Sequence, residues 1–360
     1  MKIVTVVGAR PQFIKAVAVS RAVAARGASR VLELLVHTGQ HHDERMSDVF
    51  FDELGIAPPA HRLHVAGGNH GEMTGKMLEP LERILRTERP DWVLIYGDTN
   101  STLAGALVAA KLRFPIAHVE AGLRSFNRKM PEEINRIVAD RLSSVLLCPT
   151  ETAVENLASE GISTGVHLVG DVMYDVALHF GEVAATRTQI LERLGLEPKQ
   201  YVLATCHRAE NTNDPVRLSA ILRGLARVAA HKQVIFPAHP RTVRRIAELN
   251  LLGDLGSVQI TEPASYLEMI ALERNADVIV TDSGGVQKEA FFYRVPCVTV
   301  RDETEWVETM RAGWNTLVGA DPDKIAEAVA GKTPRERLEI SPYGTGNAGE
   351  RILDVLLGPG

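Results

Sequence analysis

The stretch Thr281-Asp-Ser-Gly-Gly-Val-Gln-Lys-Glu289 directly follows the largely apolar run Asp277-Val-Ile-Val280. That run is typical of a buried parallel strand, and residues 286–293 have a helical pattern. A Ser-Gly-Gly turn between them leaves backbone N–H groups at the helix N-terminus, and glycine, which has no Cβ, lets an anion approach those groups closely. Glu289 lies about one turn further on, where its carboxylate can accept hydrogen bonds from ribose hydroxyls. The segment predicts a site for a nucleoside diphosphate; the alternative is a tight turn without a ligand.

Short apolar runs alternate with helical patterns along all 360 residues. This alternation is the signature of parallel sheets covered by helices on both faces, and it predicts an α/β fold. The predicted strands are 2–7, 31–36, 92–96, 116–119, 145–148 and 166–169, followed by 201–206, 233–236, 258–261, 277–281 and 297–300. Helical patterns between them include 13–25, 101–113 and 152–159.

The length of the chain exceeds that of one ordinary domain and suits two. Residues 172–200 have a helical pattern without a strand, so we place the hinge near Gly170-Asp171. The expected architecture is two Rossmann-like doubly wound domains, 1–170 and 171–346, which face each other across a cleft. Proteins built in this way hold their ligand at the carboxyl ends of the strands.

The charge, the apolar runs and the cysteines of the chain argue against several classes of protein. A formal net charge of −5, with both signs spread along the chain, argues against a nucleic-acid-binding surface. The first strand begins at once without a signal-peptide pattern, and no apolar run is long enough to span a membrane. Cys148, Cys206 and Cys297 are widely spaced beside apolar strands and are expected to be reduced. We therefore expect a cytoplasmic protein with no nucleic-acid or membrane partner.

Basic residues follow several of the predicted strands, where they are expected to line the cleft. Arg10 follows the first strand, and its guanidinium can fork onto a phosphate while Lys15 adds a point charge. His207 and His239 follow strands of the second half and can donate a hydrogen bond or a proton to an anion. The alternatives are an arginine that merely caps a strand end and histidines that are satisfied within their own loops.

Three carboxylates form the candidate acid–base set. Asp98 follows the third predicted strand, and Glu120 directly ends a buried strand, where a charge is unusual. Glu132 opens a helix, with Arg136 one turn later as a possible ion-pair partner. Carboxylates in one cleft can divide into acid and base roles when their environments separate their pKa values. The alternatives are that Asp98 caps a helix and that Glu132 only complements a helix dipole.

The sequence argues against a metal ion and against the common nucleotide cofactors. His37, His41 and His42 are clustered, but they lack cysteine neighbours and the His-Glu-x-x-His spacing of zinc sites. The first strand is not followed by Gly-x-Gly-x-x-Gly, and there is no Walker sequence, which argues against NAD and ATP.

Taken together, these residues closely resemble those of one family, the non-hydrolysing UDP-N-acetylglucosamine 2-epimerases. The matching segments are Gly8-Ala-Arg-Pro-Gln-Phe-Ile-Lys15, Gly97-Asp-Thr-Asn-Ser101, His118-Val-Glu-Ala-Gly-Leu-Arg124, Pro131-Glu-Glu-Ile-Asn-Arg136, Thr281-Asp-Ser-Gly-Gly-Val-Gln-Lys-Glu289 and Ser341-Pro-Tyr-Gly344. The resemblance implies a fold like that of the GT-B glycosyltransferases, with a UDP-binding second domain and a C-terminal helix, here 347–360, that crosses back onto the first domain. It also implies a homodimer that uses neither a cofactor nor a metal.

The reaction implied by the resemblance is inversion at C2 of a UDP-2-acetamido sugar, through anti elimination of UDP to a 2-acetamidoglucal and re-addition of UDP on the other face. The implied catalytic residues are Asp98, Glu120, Glu132 and His207. The implied substrate-binding residues are Arg10, Lys15, Gln40, His41, Arg136, Arg208, Asn211, His239, Ser283, Gly284, Gly285, Glu289 and Arg301.

The identity of the substrate stays open at this stage. The short basic loop Ser125-Phe-Asn-Arg-Lys-Met130 resembles that of the branch acting on UDP-2,3-diacetamido-2,3-dideoxyglucuronate, and Arg128 or Lys129 would suit its C6 carboxylate. UDP-N-acetylglucosamine is the other candidate. Three further functions are weighed against the epimerase: a GT-B glycosyltransferase, a hydrolysing epimerase that releases UDP, and a sensor that binds a sugar nucleotide without turnover.

Overall fold

The computed structural model describes residues 1–27, 29–40, 54–65, 67–331 and 336–358. The chain forms two compact units, one comprising Met1–Val176 with Ser341–Gly360 and the other comprising Ala177–Ile340. The division falls within the helix Val172–Arg187. The hinge near Gly170-Asp171, the domain limits drawn from it and the cleft stay predictions.

The first unit contains a parallel sheet. Its strands are β1 (Lys2–Val7), β2 (Leu32–His37), β3 (His61–Arg62), β4 (Trp92–Tyr96), β5 (Ile116–Val119), β6 (Val145–Cys148) and β7 (Val166–Leu168). Their order across the sheet is β3-β2-β1-β4-β5-β6-β7. Because the chain leaves β1 first towards β2 and later towards β4, the strand order reverses between β1 and β4. Ligands of doubly wound sheets bind at such a reversal.

Helices cover this sheet. They are α1 (Arg10–Arg26), α2 (His70–Glu88), α3 (Asn100–Leu112), α4 (Pro131–Leu142), α5 (Glu151–Ser159) and α6 (Val172–Arg187). Met77, Leu81 and Leu85 of α2 recur every four residues, so they lie on one face of the helix, and all three are fully buried in the core. The amphipathic pattern of the sequence therefore decides which side of α2 packs inward.

The second unit repeats the arrangement. Its strands are β8 (Tyr201–Thr205), β9 (Gln233–Pro237), β10 (Gln259–Thr261), β11 (Val278–Thr281), β12 (Cys297–Thr299) and β13 (Asn315–Leu317), in the parallel order β10-β9-β8-β11-β12-β13. The helices are α7 (Ile190–Leu194), α8 (Ala209–Thr212), α9 (Pro215–Ala229), α10 (Pro240–Glu248), α11 (Tyr266–Asn275), α12 (Gly284–Phe292), α13 (Val307–Arg311) and α14 (Pro322–Val329), with a 3₁₀ turn at Leu252–Leu255. The strand order reverses between β8 and β11.

The prediction of two Rossmann-like doubly wound α/β units is confirmed. Every strand expected from the sequence forms, with ends that shift by at most one residue. The sequence missed β3 and β13, which have two and three residues at the edges of their sheets and therefore contain no apolar run. None of the helices in the described part of the chain combines the length and apolar character needed to cross a bilayer.

The C-terminal helix α15 (Ala348–Leu357) packs on α1 within the first unit. The carboxylate of Asp175, in α6, accepts hydrogen bonds from the backbone N–H groups of Ala348 and Gly349 at 3.0 and 2.8 Å. These bonds satisfy two of the N–H groups that a helix leaves unpaired at its start. At Gly349 the two helices touch, because a Cβ at this position would lie 2.3 Å from the carbonyl oxygen of Ala18.

We expect Gly349→Ala to lower the free energy of unfolding by about 1–3 kcal/mol, since the added methyl group must push α15 away from α1. The measurement is thermal or urea unfolding. Gly71→Ala in α2 is the matched control, because no described atom lies within 4 Å of a Cβ there. Alanine favours a helix over glycine by about 0.5–1 kcal/mol, so the control should gain stability. Equal effects of the two substitutions would contradict the close contact.

Candidate active site

Glu120, in the first unit, has an unusual backbone conformation and a buried charge. It follows the last residue of β5 and has a φ of +66°, a conformation that residues other than glycine rarely adopt. Its buried carboxylate forms an ion pair with Lys15 of α1. A Cβ on Gly97 would lie 3.3 Å from both charged groups of this pair. The backbone turn that leads into Asp98 therefore lies against the Lys15–Glu120 ion pair.

Asp98 is not the helix cap that the alternative explanation required. Thr99 caps α3 instead, and its hydroxyl accepts a hydrogen bond from the backbone N–H of Thr102. The Asp98 carboxylate forms an ion pair with Arg136 of α4, whose other terminal nitrogen donates to Glu133 at 3.0 Å. Asp98 and Glu120 thus both lie at the carboxyl edge of the sheet, each paired with one cation.

A buried charged network that was not predicted from the sequence supports both turns. His118, on β5, hydrogen-bonds through Nδ1 to Asp140 and through Nε2 to the carbonyl oxygen of Gly97, both at 2.7 Å. Both of these partners present an oxygen atom to the ring. Asp140 also accepts from Arg124 at 2.7 Å and from the backbone N–H of Gly122 at 3.2 Å. The network therefore fixes the backbone on both sides of Glu120 and at the Asp98 turn.

The pKa of Asp140 results from two opposing effects. Burial of its carboxyl group acts to raise the pKa, whereas the hydrogen bonds and charges of His118 and Arg124 lower it, and the outcome lies below the usual value. Asp140 is therefore a carboxylate whose negative charge is stabilised by two cationic partners.

Two glutamines organise the loops beside β1. Gln12 is buried, and its side-chain oxygen accepts from the backbone N–H groups of Gly8 and Ala9, at 2.8 and 3.2 Å. Its nitrogen donates to the carbonyl oxygen of Tyr96 at 2.8 Å, which ties this loop to the end of β4. Gln40 accepts from the backbone and the hydroxyl of Ser101 at 3.0 and 2.8 Å. Gln12 was not predicted as a site residue, because its role depends on partners more than 80 residues away.

Asp282 is the centre of the polar residues in the second unit. It is fully buried after β11, and it accepts hydrogen bonds from the backbone N–H groups of His207 and Arg208 and from the side chain of Asn211, at 3.0–3.1 Å. The His207 Nδ1 lies 3.3 Å from Asp282, while the rest of that ring is half exposed. Asp282 therefore holds the loop after β8 against the turn after β11, at the point where the strand order reverses.

The Ser-Gly-Gly turn has the form that the sequence predicts. Ser283 caps α12, and its hydroxyl accepts from the backbone N–H of Val286. The first N–H groups of a helix have no partner within the helix, so those of Gly284 and Gly285 are available to an anion. A Cβ on Gly285 would lie 3.9 Å from a carboxylate oxygen of Glu289, which places this carboxylate on the same side of the helix start.

Arg301, directly after β12, is buried beside this turn. Its Nη1 donates to Glu305 at 3.1 Å, and its Nε lies 3.6 Å from Glu210. Its Nη2 has no hydrogen-bond partner among the residues that the structure describes. A Cβ on Gly284 would lie 2.9 Å from Glu305. Arg208 also approaches Glu305, at 3.9 Å. The two arginines therefore share the carboxylate of Glu305, which lies against the start of α12.

Comparisons with known proteins identify the family of the chain. Residues 24–357 match the model of the family described as UDP-N-acetylglucosamine 2-epimerase. The chain is 50% identical over 363 residues to the UDP-2,3-diacetamido-2,3-dideoxy-D-glucuronate 2-epimerase of Pseudomonas aeruginosa, covering 99% of both chains. The chain belongs to the UDP-N-acetylglucosamine 2-epimerase family. It is thus a member of a family of isomerases, and the resemblance drawn from its motifs is confirmed.

Solved structures of this epimerase family share the fold of the chain. The UDP-GlcNAc 2-epimerase of Methanocaldococcus jannaschii, in complex with UDP-GlcNAc and UDP, superposes with a TM-score of 0.91 at 43% identity, covering 99% of both chains. The enzyme of Neisseria meningitidis, bound to UDP-GlcNAc, gives 0.90 at 30% identity and covers 99% of this chain and 100% of its own. The epimerase-family fold therefore extends over the whole chain.

Several predicted binding residues of this epimerase-family member are already engaged within the protein. Asn211 donates to Asp282 and to the carbonyl oxygen of Val300, both at 3.1 Å, and it is fully buried. His239 caps α10, because its Nδ1 accepts from the backbone N–H of Arg241 at 3.2 Å. Arg10 begins α1, and Glu132 lies in the first turn of α4; both are partly exposed. Their assignment to the site stays a prediction.

The histidine cluster gives no metal site in the described ranges. His37 is buried, its Nδ1 accepts from the backbone N–H of Gly39 at 2.8 Å, and its ring packs on Phe13. His41 and His42 lie outside the described residues. Elsewhere in the part of the chain that the structure describes, no three metal-ligating side chains are grouped.

Proposed function

We propose that the chain is a non-hydrolysing 2-epimerase of a UDP-2-acetamido sugar. The observation that carries the proposal is that Asp98 and Glu120 both lie at the carboxyl edge of the first sheet, each held by its own ion pair, in a chain of this family. Two carboxylates at one sheet edge with different cationic partners can take different protonation states. Such a pair suits a reaction that removes a proton from one face of a carbon and returns it to the other face.

The reaction requires a group that removes the proton from C2 and groups that stabilise the charges formed when UDP leaves C1. In the elimination, the C2–H and C1–O bonds break, C1=C2 forms, and the electron pair of the C1–O bond leaves with UDP. The C2 proton passes to a carboxylate from the set of Asp98, Glu120 and Glu132. Re-addition of UDP reverses these changes with the proton delivered to the other face, so no oxidant or cofactor is consumed. A carboxylate near C1 also stabilises the positive charge that develops there.

The second unit is suited to the nucleotide. The N–H groups at the start of α12 can bind the diphosphate, and Glu289 can bind the ribose hydroxyls. Arg301, buried with an unengaged Nη2, supplies positive charge beside this helix start. His207 is oriented by Asp282 and can donate to the leaving phosphate. These groups stabilise the negative charge on departing UDP. The assignment of Arg10 to UDP binding stays a prediction.

Two substrates are compatible with this site. Relatives named UDP-N-acetylglucosamine 2-epimerase and UDP-2,3-diacetamido-2,3-dideoxy-D-glucuronate 2-epimerase are 43% and 50% identical to the chain. Arg128 and Lys129, in the loop before α4, are exposed and available to a C6 carboxylate. This supports the glucuronate derivative.

We also propose that the enzyme acts as a homodimer, which sedimentation analysis would test.

The test is proton NMR of each UDP-sugar with the enzyme in deuterium oxide. An epimerase exchanges the C2 proton for deuterium and forms the second epimer without any acceptor. A glycosyltransferase would show no exchange, and a hydrolysing enzyme would accumulate UDP and free sugar. A sensor would bind the nucleotide without either change. Absence of exchange with both UDP-N-acetylglucosamine and the diacetamido-glucuronate nucleotide would refute the proposal. Comparison of kcat/KM for the two nucleotides then identifies the substrate.

A further inference from the structure

Phe126 combines two features that are unfavourable for the free protein. It has a φ of +60°, in the left-handed region that bulky side chains avoid. Its ring is also exposed, with 75% of the residue accessible to solvent. A left-handed conformation at a non-glycine residue persists only when the surrounding structure enforces it, and such positions cluster at functional sites. The stability of the free protein therefore does not explain why a phenylalanine occupies this position.

The conformation is enforced by one buried carboxylate. Glu133, in the first turn of α4, accepts hydrogen bonds from the backbone N–H of Ser125 at 2.9 Å, from the Ser125 hydroxyl at 3.0 Å and from the backbone N–H of Phe126 at 3.0 Å. The rest of the loop is fixed by Asn127, whose side chain accepts from the backbone N–H of Lys129 at 3.1 Å. The ring of Phe126 is thus presented by a rigid backbone.

The same carboxylate connects Phe126 with the acid–base pair. Glu133 also accepts from Arg136 at 3.0 Å, and Arg136 forms the ion pair with Asp98. Two charged residues therefore separate the backbone of Phe126 from a candidate catalytic carboxylate. Because all of these contacts lie within one unit and involve buried Glu133 and Arg136, the backbone of Phe126 has a fixed position relative to Asp98.

We propose that the ring of Phe126 contacts the sugar of the substrate and covers it during the reaction. This inference rests on the proposed function. One face of a pyranose ring and the methyl group of an acetamide present C–H groups, which pack well on the face of an aromatic ring. The ring loses its contact with water only when the sugar is bound, so its exposure in the free protein is offset in the complex. The unsaturated sugar formed on elimination lacks the diphosphate that anchors the substrate, and it needs such a cover to be retained.

The experiment compares three substitutions with the wild type. Phe126→Asn and Phe126→Gly remove the ring and place residues that tolerate the left-handed conformation, whereas Phe126→Tyr keeps the ring. Arg113→Gly is the matched control, because Arg113 is exposed, has a φ of +62° and ends α3 in the same unit. Each variant is assayed for epimerisation, for release of free UDP with the unsaturated sugar, for Tm and for oligomeric state.

We expect Phe126→Asn and Phe126→Gly to lower kcat/KM for epimerisation at least tenfold and to raise the share of turnovers that release UDP. Their Tm should be unchanged or higher, and Phe126→Tyr and Arg113→Gly should stay within about threefold of the wild type. A kcat/KM of Phe126→Asn within twofold of the wild type would overturn the proposal. So would a loss of activity that follows a fall in Tm, or a change in oligomeric state that shows the ring to be covered by a second copy. The C2 exchange of the wild type tests the proposed function separately.

Discussion

Glu120→Gln should lower the rate of C2 proton exchange by about 10²–10⁴-fold, the range that positioned acid–base groups contribute. Glutamine keeps the size of the side chain but can neither take up the proton nor stabilise a positive charge at C1. UDP affinity should be retained, because the nucleotide is assigned to other residues. The measurements are exchange in deuterium oxide by NMR and UDP binding by calorimetry. The same loss is expected for Asp98→Asn and Glu132→Gln.

Two comparisons make this prediction specific. Glu88→Gln breaks a Lys–Glu ion pair of the same unit, with Lys2 at 3.3 Å, outside the candidate site, and it should leave exchange unchanged. Arg10→Ala should give the converse result, with weaker UDP binding. If exchange continues at the wild-type rate in all three carboxamide variants, the acid–base assignment is wrong. Measuring Tm for each variant separates a fall in exchange caused by the loss of an acid–base group from a fall caused by unfolding.

Asp140→Asn should lower the free energy of unfolding by about 3–5 kcal/mol, the usual result of removing one partner from a buried ion pair. Arg124 would keep Glu160 as its remaining carboxylate partner, and His118 would lose the carboxylate to which its Nδ1 is hydrogen-bonded. Urea unfolding measures the loss. Asp277→Asn is the matched control, because its ion pair with Lys232 is partly exposed, and such pairs contribute about 0–1 kcal/mol.

The effect of Asp140→Asn should depend on pH. Because the pKa of Asp140 is lower in the folded protein than in the unfolded chain, its stabilising contribution is complete above about pH 5 and is lost as the pH falls through the lowered pKa. The difference in stability between wild type and variant should therefore shrink as the solution becomes acidic. A difference that grows as the pH falls would contradict the ion pair. A double-mutant cycle with His118→Gln would isolate the coupling between the two side chains.

The strand ends of the first unit show which features of the site sequence patterns predict and which they leave open. Asp98 and Glu120 were predicted as site residues because each follows an apolar run, and the structure places both at the same sheet edge. The sequence left open whether Asp98 caps a helix, since Thr99 is an equally good cap. Only the ion pair with Arg136, 38 positions further along, shows that Asp98 is engaged in a different way. Local propensity allows both possibilities, and tertiary contact selects between them.

The residues that the sequence missed share one property. Gln12, Glu133, Asp140 and Asp282 are buried polar side chains that hold backbone turns in place. Asp282 acts on residues 74 and 75 positions away, and Gln12 on Tyr96, 84 positions away. No spacing rule connects groups so far apart. Gln12, Glu133 and Asp282 lie inside segments that match the family, whereas Asp140 lies outside all of them.

The sequence by itself determined two doubly wound sheets, the helix start that suits a diphosphate, and the strand ends at which charged groups collect. These features depend on hydrophobic periodicity and turn chemistry, which act over a few neighbouring residues. The tertiary structure alone decided which cation pairs with which carboxylate, and that Phe126 is held in a left-handed conformation by Glu133. The physical reason is that a buried charge is stable only beside an opposite charge or a hydrogen-bond partner. Packing decides which residue that partner is, whatever the distance along the chain.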